Sequence, residues 1–253
     1  MDRMIYTAMS GASQTLALQS VTANNLANVS TPGFKAQLAA FRAVPIEGPS
    51  LATRSLVSAS TPGADFSPGR VSDTGHPLDV ALQPNHWLAV SLPDGTEAYT
   101  RNGNMQISST GLLTVKGYPV LGEGGAITLP EHAQLTIATD GTITALNAGD
   151  QPNATVAIGR LRLVQGDPGE VERAADGLFR PSAQALQRLG EPRLPVDPLA
   201  KVMPGMLEES NVNPVQSMVE MIDHARRFEM QMKEISHADQ NAQRANQLLS
   251  LTS

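Results

Sequence analysis

The sequence predicts an α+β protein. N- and C-terminal helices form a coiled-coil-like domain and enclose an inserted, mainly antiparallel all-β domain carried on extended linkers. Three observations predict it. Apolar residues recur at heptad spacing at both ends of the chain, the middle is a series of short β-branched runs punctuated by glycine turns, and the stretches between are rich in proline.

In the N-terminal helix, Ile5, Met9, Ala12, Leu16, Gln19, Ala23 and Leu26 step by four and three from about Asp2 to Asn28. Asn28 suits the left-handed C-terminal position, and Pro32-Gly33 forbids continuation and makes a turn. Asn24 and Asn28 share one helical face, where buried amides fix register and exposed ones merely cap. From Phe34 to Gly75, prolines 45, 49, 62 and 68 with glycines 48, 63 and 69 indicate an extended arm or loose hairpin without a core of its own. The tetrapeptide Ser-Thr-Pro-Gly occurs at residue 30 and again at residue 60, as repeated turn chemistry.

Strands are expected over residues 78–82, 87–92, 105–107, 112–115, 126–129, 135–138, 142–146 and 156–164. Turn signals lie among them at Asp94-Gly95, Asn102-Gly103, Thr110-Gly111, Lys116-Gly117, Gly124-Gly125 and Asp140-Gly141. Residues 167–204 read as a proline- and charge-rich return route with one short helix near Ser182–Leu189. For the last helix, Asn213 is a candidate N-cap, Pro214 suits the first position, and Gln216 falls where a capping box wants it. Its apolar stripe runs Met218, Ile222, Ala225, Phe228, Met232, Ile235, Ala238, Ala242, Ala245 and Leu249, at a mean spacing of about 3.4 residues. Such a helix spans roughly 55 Å, and one narrow stripe on so long a rod needs a partner helix. The expected domains are therefore residues 1–33, the arm 34–75, the β domain with its return linker 76–204, and the C-terminal segment 205–253.

Composition narrows the function. Only 17% of the 253 residues are charged and 4% aromatic, and the formal net charge is −6. This balance, with no basic run, argues against nucleic acid as a partner. The chain has no cysteine, which removes thiol catalysis, disulfides and cysteine-ligated zinc. No apolar run reaches the length of a transmembrane segment or a signal-peptide core. No catalytic residues, cofactor site or metal site are expected. The five histidines are scattered, and His224 and His237 stand more than about 15 Å apart along one helix. The Asp-Gly pairs read better as hairpin turns than as calcium loops, and Glu208-Glu209 as a solvated approach to the last helix rather than an acid/base pair. Methionines 218, 221, 230 and 232 read as packing, within one chain or between chains.

Three stretches carry a resemblance. The first is Ser10-Gly11-Ala12 with Thr22-Ala23-Asn24-Asn25-Leu26-Ala27-Asn28-Val29-Ser30-Thr31-Pro32-Gly33-Phe34-Lys35. The second comprises Leu78-Asp79-Val80-Ala81-Leu82, the Asp94-Gly95 turn, Tyr99-Thr100-Arg101-Asn102-Gly103 and Asp140-Gly141. The third is Gly205-Met206-Leu207-Glu208-Glu209-Ser210-Asn211-Val212-Asn213. Together they resemble the flagellar rod–hook family of axial proteins over nearly the full length. The opening Met1-Asp2-Arg3-Met4-Ile5-Tyr6, the segment 225–233 and Asn85-His86-Trp87-Leu88 after the Asp-Val strand resemble its proximal rod member with one β domain. The distal rod type is the alternative within the family. The resemblance implies a structural subunit that polymerises helically into the periplasmic drive shaft around the export channel. Its partners would be itself, other rod proteins and the type III export apparatus, and it would leave the cytoplasm without a cleaved signal. It also implies site residues: Ile5, Met9, Ala12, Leu16, Leu26, Met218, Ile222, Phe228, Met232, Ile235 and Leu249 in subunit packing. Asn24, Asn25, Asn28, Pro32, Gly33, Phe34, Asn211 and Asn213 would carry register and motif geometry. Outside the family, an enzyme on the β domain would need a pocket with convergent polar groups, and a soluble coiled-coil adaptor would form a discrete dimer.

Overall fold

Helix at both ends and strand between is what the computed structural model contains; it describes residues 2–45, 55–130, 133–146 and 155–250. Helix α1 spans Asp2–Ala27, the short α2 Ala183–Leu189 and the long α3 Pro214–Ser250. The chain divides into two compact units. One comprises Met1–Asn28, Gln37–Gly63 and Val212–Ser253; the other comprises Val29–Ala36 and Ala64–Asn211. These bounds differ from those drawn on composition. The turn after α1 belongs to the β-rich unit, while the strands Gln37–Pro45 and Ser55–Ala64 pair as a two-stranded sheet and go with the helices.

In the helical unit α1 and α3 pack side by side. Segments just beyond the end of α1 and just before the start of α3 are joined by the Asn211 N–H donating to the Phe34 carbonyl at 3.3 Å, so the two helices run antiparallel. Asn213 caps α3 as expected, its Oδ1 accepting from the N–H groups of Val215 at 3.0 Å and Gln216 at 3.2 Å.

The seam between the helices departs from the expected stripe. On α1 a series at heptad spacing, Ile5, Ala8, Ala12, Thr15, Gln19, Thr22 and Leu26, is buried or half-buried, with Ser10, Gly11, Gln14, Leu18, Val21 and Asn25 half-buried beside it. On α3 the series is Ser217, Met221, His224, Phe228, Gln231, Ile235, Ala238 and Ala242, with Ala225 half-buried beside it. Ile5, Ala12, Leu26, Phe228 and Ile235 keep their places. Met9, Leu16, Met218, Ile222 and Met232 lie one residue beyond the seam and are exposed. The side chain of Leu249 lies outside the described residues. Both series obey the same spacing by threes and fours, so periodicity alone admits either. Small residues settle it by letting the axes approach. A Cβ on Gly11 would sit 3.0 Å from Gln231 Nε2, and Thr15 Oγ1 lies 3.0 Å from both Gln231 Oε1 and the Gly11 carbonyl.

The β-rich unit is built on a five-stranded sheet in the order Leu163–Gln165, His86–Ser91, Glu97–Thr100, Phe179–Pro181 and Val171–Arg173. One face buries Val80, Leu88, Val90, Leu113, Val120, Ile143 and Leu161. The other buries Trp87, Tyr99, Val164 and Phe179, with the Phe66 ring edge-on to Trp87 at 5.9 Å. The Asp94-Gly95 and Asp140-Gly141 pairs are turns, with positive φ at each glycine and the aspartate accepting from the Thr96 or Thr142 N–H. Helix α2 has Ser182 as N-cap and Gly190 as left-handed C-cap.

Four strands in or beside the supposed return route do more than connect. Val171–Arg173 and Phe179–Pro181 complete the large sheet, Val202–Pro204 pairs with Val80–Leu82, and Met206–Glu208 pairs with Val71–Asp73. Each is three residues long and proline- or charge-bearing, so its strand character comes from its distant partner rather than from local propensity.

Candidate assembly interface

Two features of these units concern function: a buried charge cluster that binds the three motif stretches together, and an uncovered apolar flank on the helix pair.

The cluster centres on Glu208, only 2% exposed. Its Oε1 accepts from Lys35 Nζ at 2.7 Å and the Gly69 N–H at 2.9 Å; its Oε2 accepts from Arg101 Nε at 2.6 Å. The remaining Arg101 donors reach the carbonyls of Leu82, Gln83 and His86 at 2.8–3.1 Å. Burial would push the Glu208 carboxyl up, but Arg101 and Lys35 outweigh it and hold the pKa below its ordinary value. The Lys35 ammonium is shifted down, because burial disfavours it and it shares its one carboxylate with Arg101. One anion between two cations is over-compensated while each cation is under-compensated, so the two directions agree.

This geometry corrects the reading of Glu208 as a solvated residue and gives each motif a physical cause. Gly33 has φ +66°, and a Cβ there would lie 2.3 Å from the Arg101 carbonyl carbon. Its N–H donates to the Glu208 carbonyl at 2.7 Å. The Arg173 guanidinium lies over the Phe34 ring at 4.4 Å. Asp79, also buried, accepts from Thr74 Oγ1 at 2.7 Å and Asn104 Nδ2 at 2.9 Å. At Asn85-His86-Trp87, Asn85 donates to Asp167 and Trp87 to the Gly166 carbonyl, while the His86 ring meets Asp197 and the Pro84 carbonyl. Sequence reasoning passed over Lys35, Arg101 and Glu208 as a set, although each lies inside a motif. Charge opposition between motifs far apart in sequence was the available signal.

The asparagines are engaged within the chain. Asn25 accepts from the Gln37 N–H at 2.8 Å and donates back to the Gln37 carbonyl at 2.9 Å, tying α1 to the first strand of the hairpin. Asn28 donates to the Asn24 carbonyl at 2.9 Å. Asn211 accepts from the Ala36 N–H at 2.7 Å and donates to the Asp65 carbonyl at 2.8 Å. Asn24 is exposed, Pro32 half-buried.

The flank comes from the one-residue offset. On an antiparallel pair, the residue after a seam position points to the same side from either helix, about 100° round its own axis. Tyr6, Met9 and Leu16 of α1 therefore share a side with Met218, Ile222 and Met232 of α3. All six are exposed, from 46% for Met232 to 68% for Tyr6. The other side presents Glu220, Asp223, Arg227 and Glu234 from α3, with one exposed apolar residue, Met230. An apolar strip running along two helices, with a seam of small and polar residues beneath it, is a surface made for packing. The fold and this surface fit a structural protein. No helix among the described residues is long and apolar enough to cross a membrane.

Comparison with known proteins agrees. Residues 5–35 match the family described as flagella basal body rod protein, 81–145 the D1 domain of the flagellar hook protein FlgE/F/G, and 203–248 the C-terminal region of the flagellar basal body rod FlgEFG proteins. The flagellar basal-body rod protein FlgF of Salmonella typhimurium strain LT2 is 60% identical over the whole of both chains, as is FlgF of Escherichia coli K12. FlgG of Buchnera aphidicola subsp. Schizaphis graminum is 32% identical, over 90% of this chain and 92% of its own. The chain belongs to the family of flagellar basal-body rod proteins. It is a structural component of the basal body and not an enzyme.

Proposed function

We propose that this chain is a subunit of the proximal rod that polymerises helically, with itself and with other rod proteins, into the periplasmic drive shaft. The apolar flank of α1 and α3 packs against neighbouring subunits around the export channel. The chain reaches its place through the flagellar type III export apparatus, without a cleaved signal. The proximal assignment draws support from the 60% identity to FlgF, a proximal rod subunit, against 32% to FlgG.

The observation that carries the reading is the flank. Six large apolar side chains stand about half exposed on one side of a helix pair. Covering them would contribute roughly 1 kcal/mol apiece, since full burial of such a side chain is worth about 1.5–3 kcal/mol. Repeated in every subunit, that sum supplies the stiffness that a torque-bearing shaft needs. Met232→Lys tests it. Desolvating an unpaired ammonium in a packed layer costs several kcal/mol. At an exposed position of the free subunit the substitution costs almost nothing. As the sole copy in the cell, the variant should be exported and folded, yet absent from isolated basal bodies, and the cells should not swim. Normal swimming refutes the flank as the packing surface.

A further inference from the structure

The flank leaves open how a neighbour is oriented, and a second surface addresses that. We propose that a recess beside the turn Thr31–Lys35 receives the Glu229 carboxylate from α3 of a second copy of this chain, with Arg173 and Lys116 as the receiving cations. The inference rests on the assembly reading above and adds a specific polar contact to it.

The recess lies within the β-rich unit and is lined by Thr31, Phe34, Thr100, Asn102, Lys116 and Arg173 among others. Its volume of about 10 Å³ admits one oxygen-sized group. Arg173 is held ready there. Its guanidinium stacks 4.4 Å over the Phe34 ring and donates to the Lys35 carbonyl at 3.2 Å, so little side-chain entropy remains to be lost on binding. Neither Arg173 nor Lys116 forms an ion pair among the described residues. Burial lowers the Arg173 pKa; the Lys116 pKa is lowered by desolvation and by Arg173 although that residue is exposed to solvent, and no carboxylate offsets either. The buried carboxylate of Glu208 is already taken by Lys35 and Arg101. Two under-compensated cations on a chain of net charge −6 mark a place where an anion is missing.

The same chain presents a matching anion. Among the acids of α3, Asp223 pairs with Arg227, Glu220 accepts from Gln216, and Asp239 accepts from Gln243. Glu229 and Glu234 are both exposed with no such partner among the described residues, and Glu234 stands on the opposite side of the pair. Glu229 stands on the uncovered flank, at seam-plus-one spacing between Ile222 and Met232. A carboxylate there is costly to cover unless the covering surface supplies a cation.

Charge reversal tests the pair. Lys116→Glu, Glu229→Lys and the double variant are each expressed as the sole copy, and the amount recovered in isolated basal bodies is compared with wild type. Melting of the purified variants, followed by Trp87 fluorescence for the β-rich unit and by far-ultraviolet circular dichroism for α1 and α3, shows that each matches wild type in fold. Each single reversal should lower incorporation at least tenfold, and the double should restore it to within about threefold of wild type. Wild-type incorporation of Lys116→Glu, or a double variant no better than the singles, overturns the proposal. Should Met232→Lys also incorporate normally, the assembly reading itself fails. If only the reversals are silent, the flank stands and this contact does not.

Discussion

Replacing Glu208 with glutamine removes the one anion from the charge cluster while keeping its shape. Lys35 and Arg101, 2% and 5% exposed, would then lie buried facing each other without a counter-charge. Breaking a buried ion pair by deleting one partner costs about 3–5 kcal/mol. In a unit of this size each kcal/mol lowers Tm by about 2–4 °C, so a fall of roughly 6–20 °C is expected at neutral pH. Trp87 is the only tryptophan, buried and 5.7 Å from Arg101, so its fluorescence reports unfolding of this unit directly. The pH dependence supplies a second check. The Glu208 pKa is lowered in the folded state from an ordinary 4.5, so its contribution is fully present above 4.5 and is lost as pH falls through the folded pKa. Protonated Glu208 resembles glutamine, so the gap between wild type and Glu208→Gln should close in acid below that value. A neutral-pH difference under 2 °C, or a gap that persists unchanged in strong acid, refutes the cluster as a stabilising centre.

Other substitutions should separate the parts of this arrangement. Lys35→Met leaves Glu208 with Arg101 and the Gly69 N–H, so it should cost no more than about half of the Glu208→Gln loss in the same melt. Gly33→Ala places a methyl into the Arg101 backbone at a left-handed φ and should destabilise the β-rich unit by roughly 3 kcal/mol or more, seen as a lowered denaturant midpoint. Brief proteolysis of the dilute subunit should remove residues of α1 and α3 before it cuts the β-rich unit. Their mutual seam is mostly alanine, serine, threonine, glutamine and histidine and buries little apolar area; equal protection of helices and sheet would count against that.

Much of this protein was legible in the residues themselves. The two terminal helices follow from heptad spacing, and the cap at Asn213 and the helix after Ser182 follow from local capping chemistry. The Asp-Gly turns follow from the intrinsic freedom of glycine at positive φ. These signals are short-range, and each segment carries its own. Tertiary contacts decided the rest. The two Ser-Thr-Pro-Gly tetrapeptides show it best: at residues 30–33 the sequence forms a turn with Gly33 at φ +66°, jammed against Arg101, while at 60–63 it lies within the strand Ser55–Ala64. The seam likewise fell to Thr15 and Gly11 facing Gln231 rather than to the larger Met9 and Leu16, since only the distance between two helix axes distinguishes stripes of equal period. Glu208 is buried because Lys35 and Arg101 arrive from 173 and 107 residues away to neutralise it. A charged residue carries no local sign of whether its partner will be water or another part of the chain.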